Sequence, residues 1–209
     1  NTRGPSGYNY DTSSRQTVNL PHDYVIDGKH DPKESVSHGF LPRAQAWYRR
    51  QFKLDAKDRK KTVWLYFDSI GGRTTVFVNG QEMHHSTNGY IGFRVNISDV
   101  ANYGNRRNTI AIHTDPLEPQ GWWYEGGGMY RHAWLIKTNK IHVAPFGVFA
   151  NPKKINESNW DTVIETTIES EQNVNAKISI RSTIVDNKGK TVGHKKTELL
   201  SESRERNII

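Results

Sequence analysis

The chain has 209 residues, no cysteine, 34% hydrophobic and 11% aromatic residues, and a formal net charge of +7. The missing cysteines exclude a disulfide scaffold and a cysteine-built zinc site, and the longest apolar runs are only a few residues, too short for a membrane-spanning helix. The positive charge permits acidic partners, but the basic residues form no patterned arm or basic helix, so neither a nucleic-acid nor a membrane partner is expected.

The dominant period along the chain is two, which signals strands. Lys57-Asp58-Arg59-Lys60-Lys61, the densest basic stretch, reads as a solvated turn between two strand-like runs. After it, Val63, Leu65 and Phe67 alternate with Trp64, Tyr66 and Asp68. Thr74 to Val78 is a β-branched and aromatic run ending at Asn79-Gly80, a hairpin signal, because a type I′ turn needs positive φ at both central residues. Phe93, Val95 and Ile97 continue the pattern. Ser98 to Tyr103 predicts one helical turn, capped by Ser98 or Asp99 and ended by Gly104. Ile110 and Ile112 share one face of a further strand, and Ala133 and Leu135 alternate with Trp134 and Ile136.

Composition changes near Pro145, from dense aromatics and glycines to Lys, Glu, Ser and Thr. This predicts two domains, 1–145 and 146–209. In the second, Ala176, Ile178, Ile180 and Ile184 share a face opposite Lys177, Ser179, Arg181 and Thr183. Asp186-Asn187-Lys188-Gly189 turns this strand into a hairpin partner from Lys190 to Leu200. Sixty-odd residues with about four strands are fewer than the roughly seven of an immunoglobulin-like sandwich, so the second domain is read as incomplete. Many short strands with turn signals and almost no helical pattern make the chain all-β, of the sandwich or barrel kind.

The most distinctive segment is Gly121-Trp122-Trp123-Tyr124-Glu125-Gly126-Gly127-Gly128-Met129-Tyr130-Arg131. Adjacent aromatics on a loop cannot all enter one core. At least one should face a cleft, where flat rings suit the C–H faces of sugars and Glu125 could accept hydroxyl hydrogen bonds. The competing reading is a packed loop capping the sandwich. His22-Asp23 could form an orienting pair, but neighbours on an extended chain rarely face each other, and a histidine satisfying local backbone groups is the simpler role. His84-His85 is too little for a metal site, and none is expected. Nucleophile elbows, phosphate loops and dinucleotide fingerprints are absent. No carboxylate pair is singled out for glycoside hydrolysis.

Four stretches in order resemble glycoside hydrolase family two, the β-galactosidase, β-glucuronidase and β-mannosidase group. Leu20-Pro21-His22-Asp23-Tyr24 is similar to the family's Leu-Pro-His-Asp-Trp. Gly39-Phe40-Leu41-Pro42 with Trp47-Tyr48-Arg49-Arg50-Gln51-Phe52 is similar to its first core strand. Phe77-Val78-Asn79-Gly80 with Asn88-Gly89-Tyr90-Ile91-Gly92-Phe93 resembles its hairpin and Gly-Tyr-x-x-Phe segment. Trp123 to Leu135 resembles its Trp-Tyr-x-Gly-x-Gly-Ile-Tyr-Arg-x-Val-x-Leu signature. The resemblance covers residues 20 to 137. Beyond about residue 146, the likeness to the family's second domain is one of position more than motif.

The resemblance implies a jelly-roll, galactose-binding-like β-sandwich followed by part of an immunoglobulin-like sandwich. In the family a (β/α)₈ barrel comes next, which needs roughly 250 residues. The family's acid/base and nucleophile are glutamates on that barrel, so no catalytic residue is expected among residues 1–209, and the barrel would be the chain's own missing partner. A full enzyme would be retaining, with carboxyls about 5 Å apart. In the family the loop before the Gly-x-Gly-Ile-Tyr-Arg strand reaches over the barrel mouth. That implies Trp122, Trp123, Tyr124 and Glu125 as substrate-binding residues, with Arg43 on a neighbouring loop. The best-known β-galactosidases carry an Asp here that contacts sugar and sodium; Trp122 replaces it, which puts the sodium site and strict galactose specificity in doubt. No cofactor is implied. The expected partner is a carbohydrate, a β-galactoside or related glycan, with a homo-oligomer left open. A bacterial periplasmic or secreted location fits, as does the cytoplasm. A stand-alone carbohydrate-binding module is the alternative. A nucleic-acid-binding protein rests on net charge alone.

Overall fold

A computed structural model describes residues 4–118, 121–171, 175–201 and 206–208. The chain divides into two compact units, 1–137 and 138–209. The division falls ahead of Pro145 because the strand Ile141–Lys154 runs through that proline, so the compositional change lies inside an element.

The first unit contains β1 (Ala46–Phe52), β2 (Thr62–Phe67), β3 (Arg73–Val78), β4 (Gln81–Ser86), β5 (Phe93–Asn96), β6 (Asn108–Asp115) and β7 (Ala133–Thr138). They form a four-stranded sheet in the order β1-β6-β3-β4 and a three-stranded sheet in the order β5-β2-β7. The core takes alternate residues from both sheets: Val63, Leu65 and Phe67 from β2, Val76 and Val78 from β3. Val95 and Ile97 close it from the β5 side, and Leu54, Ile70, Ile112 and Met129 complete it. Each such side chain contributes about 1.5–3 kcal/mol by leaving water.

Asn79 and Gly80 have φ of 53° and 83°, so the β3–β4 hairpin turns where its dipeptide predicts. The Ser98 turn is single, as expected, but its cap differs. The Asn96 side chain accepts from the Ser98 N–H at 3.0 Å, placing the cap ahead of Ser98 and Asp99. The basic stretch departs further from a solvated turn. Ala56–Lys60 is a 3₁₀ helix whose Asp58 is buried and accepts from Lys137. Its lysines and arginine stay in solvent while the acid between them goes inside.

The second unit holds β8 (Ile141–Lys154), β9 (Trp160–Ser170), β10 (Ala176–Val185), β11 (Thr191–Ser201) and β12 (Arg206–Ile208). One sheet runs β12-β9-β8, and β10 pairs β11 as a hairpin. The Asp186 carboxylate closes that hairpin by accepting the N–H groups of Lys188 and Lys190. Ala144 and Ile168 are the buried apolar residues among those described here.

Candidate functional site

Two distant segments meet at one end of the first unit. His22 N–H donates to the Met129 carbonyl at 2.8 Å, and Tyr24 N–H to the Gly127 carbonyl at 3.1 Å. The run Gly126-Gly127-Gly128 is what allows this approach. A Cβ at Gly126 would strike the Asp23 carboxylate, and one at Gly127 would meet Val25 and Tyr24. At Gly128, a Cβ would strike the Tyr48 hydroxyl. Gly126 and Gly128 also carry φ of 67° and 106°, a region that side chains resist.

The His22-Asp23 pair serves this junction in a divided way. The His22 ring turns from the local backbone to Tyr48, with Nδ1 2.7 Å from its hydroxyl, and Nε2 lies 3.3 Å from Asp27. Asp23 takes the backbone role instead, accepting the N–H groups of Val25 at 2.9 Å and Gly127 at 3.0 Å. It also accepts the Tyr124 hydroxyl at 2.8 Å. Burial pushes the Tyr48 phenol up to about 12. Burial, and next the hydrogen bond to Asp23, raise that of Tyr124. Both phenols therefore stay protonated near neutrality.

From this anchored base the aromatic tip projects. Trp122 is 92% exposed, Trp123 58% and Tyr124 37%. Trp123 Nε1 donates to the Tyr90 hydroxyl at 3.2 Å, tying the tip to the segment that also exposes Ile91. Glu125 points away from the tip. Its side chain is mostly buried, 3.5 Å from the Arg43 guanidinium, which also donates to the Pro116 carbonyl at 3.1 Å. The five sequence-predicted residues thus divide into an uncharged exposed tip and a charge pair beneath it. A recess lined by Gly71, Gly89, Tyr90, Pro116, Glu125 and Gly126 has room for about one water molecule and none for a sugar ring.

Tyr90 and Tyr48 join this site from stretches quoted only for the family resemblance, and Asp23, weighed in the sequence as an orienting partner of His22, joins it instead as the anchor of Tyr124 and Gly127. The Asp23 signal was present as a motif, but its partner lies more than a hundred positions away along the chain. His84 and His85 have other roles. The first stacks on Phe93 with centroids 4.4 Å apart, and the second lies 3.2 Å from the Thr75 hydroxyl.

Residues 14–125 match the family described as glycosyl hydrolase 2 galactose-binding domain-like. The chain is 30% identical to a β-galactosidase of Bacteroides ovatus over 85% of its own length and 21% of the relative's. It is 26% identical to a β-glucuronidase of Formosa agariphila over 93% of its length and 22% of that protein's. The crystal structure of a glycosyl hydrolase family 2 member from Bacteroides cellulosilyticus superposes with a TM-score of 0.91 at 25% identity. That match takes in 99% of this chain and 28% of the other. The chain thus spans about a fifth of the length of these curated relatives.

Proposed function

This chain belongs to the glycosyl hydrolase 2 galactose-binding domain-like family, and on that premise we propose that it is the non-catalytic, sugar-facing part of a β-galactosidase-like retaining glycosidase cleaving terminal β-glycosides. Both β-galactosidases and β-glucuronidases stand among its relatives, and β-galactosides are the substrate class this reading favours. The observation that carries it is the tip: two tryptophans and a tyrosine held out into solvent by an anchored base, beside a recess too small for a sugar. Such a tip serves as one wall of a site whose other walls lie elsewhere. Its rings offer stacking surface, and Tyr124 and Trp123 already spend their polar atoms on Asp23 and Tyr90. Arg43 and Glu125 support the tip from below by pairing with each other.

The test is kinetic. In a full-length protein carrying the barrel, Trp122→Ala should raise KM for a chromogenic β-galactoside about tenfold, as expected when a stacking surface is lost. An unchanged KM contradicts the reading. The exposure of Trp122 also suits a stand-alone carbohydrate-binding module. Calorimetry decides between them: millimolar or tighter binding of a galactoside by the 209-residue chain alone, abolished by Trp122→Ala, would favour the module.

A further inference from the structure

The carboxylate of Asp23 does more than close its own turn. Oδ1 accepts Val25 N–H and Gly127 N–H, while Oδ2 accepts the Tyr124 hydroxyl. Two of these three bonds reach the tip-bearing segment, one on each side of Glu125 and Gly126. Gly126 packs so closely that any side chain there would displace the carboxylate. A carboxylate accepts stronger hydrogen bonds than a neutral group. Its two oxygens together fix both the position of the segment and the direction in which Tyr124 leaves it. Trp123, the next residue outward, is held by the Tyr90 hydroxyl. An exposed tip of rings would otherwise have to be ordered at each binding event, and that ordering weakens affinity.

We propose that Asp23 is a positioning residue for the Trp122–Tyr124 tip: by holding Tyr124 and Gly127 it fixes the direction in which the two tryptophans face a sugar. This rests on reading the tip as a sugar-contacting wall. Asp23 itself touches no substrate; it acts through Tyr124.

The experiment has two arms. In the 209-residue chain labelled with 5-fluorotryptophan, the fluorine resonances of positions 122 and 123 are identified by Trp122→Phe and Trp123→Phe. Asp23→Ala and Tyr124→Phe should move the Trp123 resonance toward the value of the largely exposed Trp122 and leave the four tryptophans outside the tip in place. Asp23→Asn keeps an acceptor for Gly127 N–H and should move it less. In the full-length protein, Asp23→Ala should raise KM for 4-nitrophenyl β-galactoside about tenfold with kcat changed by less than about twofold. Asp23→Asn should restore part of that KM. An unmoved Trp123 resonance in Tyr124→Phe overturns the proposal even if Asp23→Ala unfolds the chain. A resonance that moves while Trp122→Ala leaves KM unaltered would instead overturn the sugar-wall reading.

Discussion

Asn108 is fully buried at the start of β6 and is held on all sides by hydrogen bonds. Its Oδ1 accepts Asn102 N–H at 2.6 Å and Asn79 Nδ2 at 3.0 Å, and its Nδ2 donates to the Asn102 carbonyl at 2.8 Å. Asn108→Ala would strand these partners away from water, and should cost about 3 kcal/mol. Urea unfolding of the 209-residue chain measures it; a loss below about 1 kcal/mol would mean that water reaches the site. Asp58 gives a pH-dependent counterpart. The hydrogen bond from Lys137 holds its carboxyl below the usual range against the opposing effect of burial, with the charges of Lys137 and Lys61 adding. Its folded value therefore lies below its unfolded one. The stabilisation is complete above about pH 3.9 and is lost as pH falls through that value toward the folded one. Lys137→Met should lower the urea midpoint at pH 6 and converge with the parent chain in strong acid. An equal deficit at both pH values would show that the lysine acts by packing alone.

At the scale of elements, local chemistry reads well and long-range contact poorly. Val63, Leu65 and Phe67 sit inward as their alternation requires, and Asn79-Gly80 turns as its φ demand requires. β6 was harder. Ile110 and Ile112 were expected to mark one face, yet Thr109 and Ala111 on the other face are also buried. Ile112 faces the core, while on the other face Ala111 sits between its cross-strand neighbours Arg49 of β1 and Phe77 of β3, and the Gly4–Ser6 turn packs against the strand. Alternation cannot announce a strand covered on both faces. The glycine run was legible as close approach, but not what it approached. Gly128→Ala should destabilise the chain by more than about 2 kcal/mol, since it adds a clash to a disfavoured φ. Gly189→Ala is the control: its φ is 78° and nothing lies within 4 Å of an added Cβ. It should cost only about 1 kcal/mol. Equal losses in thermal or urea unfolding would mean that the Gly128 contact relaxes freely.

Across the whole molecule, the aromatic loop divides between anchoring and exposure. Two of the family-like stretches, residues 20–24 and 126–129, meet at one end of the first unit, where glycines, Asp23 and Tyr48 fix the base and Trp122 stands clear, while the Asn79-Gly80 hairpin lies at the far end of β3. Sequence could show that three adjacent aromatics would not all enter one core. Which of them would stand out depended on Asp23 and Tyr90, contacts that only the fold creates. In the proposed division of labour this chain shapes one wall of the site, and the reacting carboxylates lie on the barrel. The most direct measurement is hydrolysis of 4-nitrophenyl β-galactoside and 4-nitrophenyl β-glucuronide by the purified 209-residue chain. No release of nitrophenol above the uncatalysed rate is predicted. Turnover by this chain alone would contradict the account.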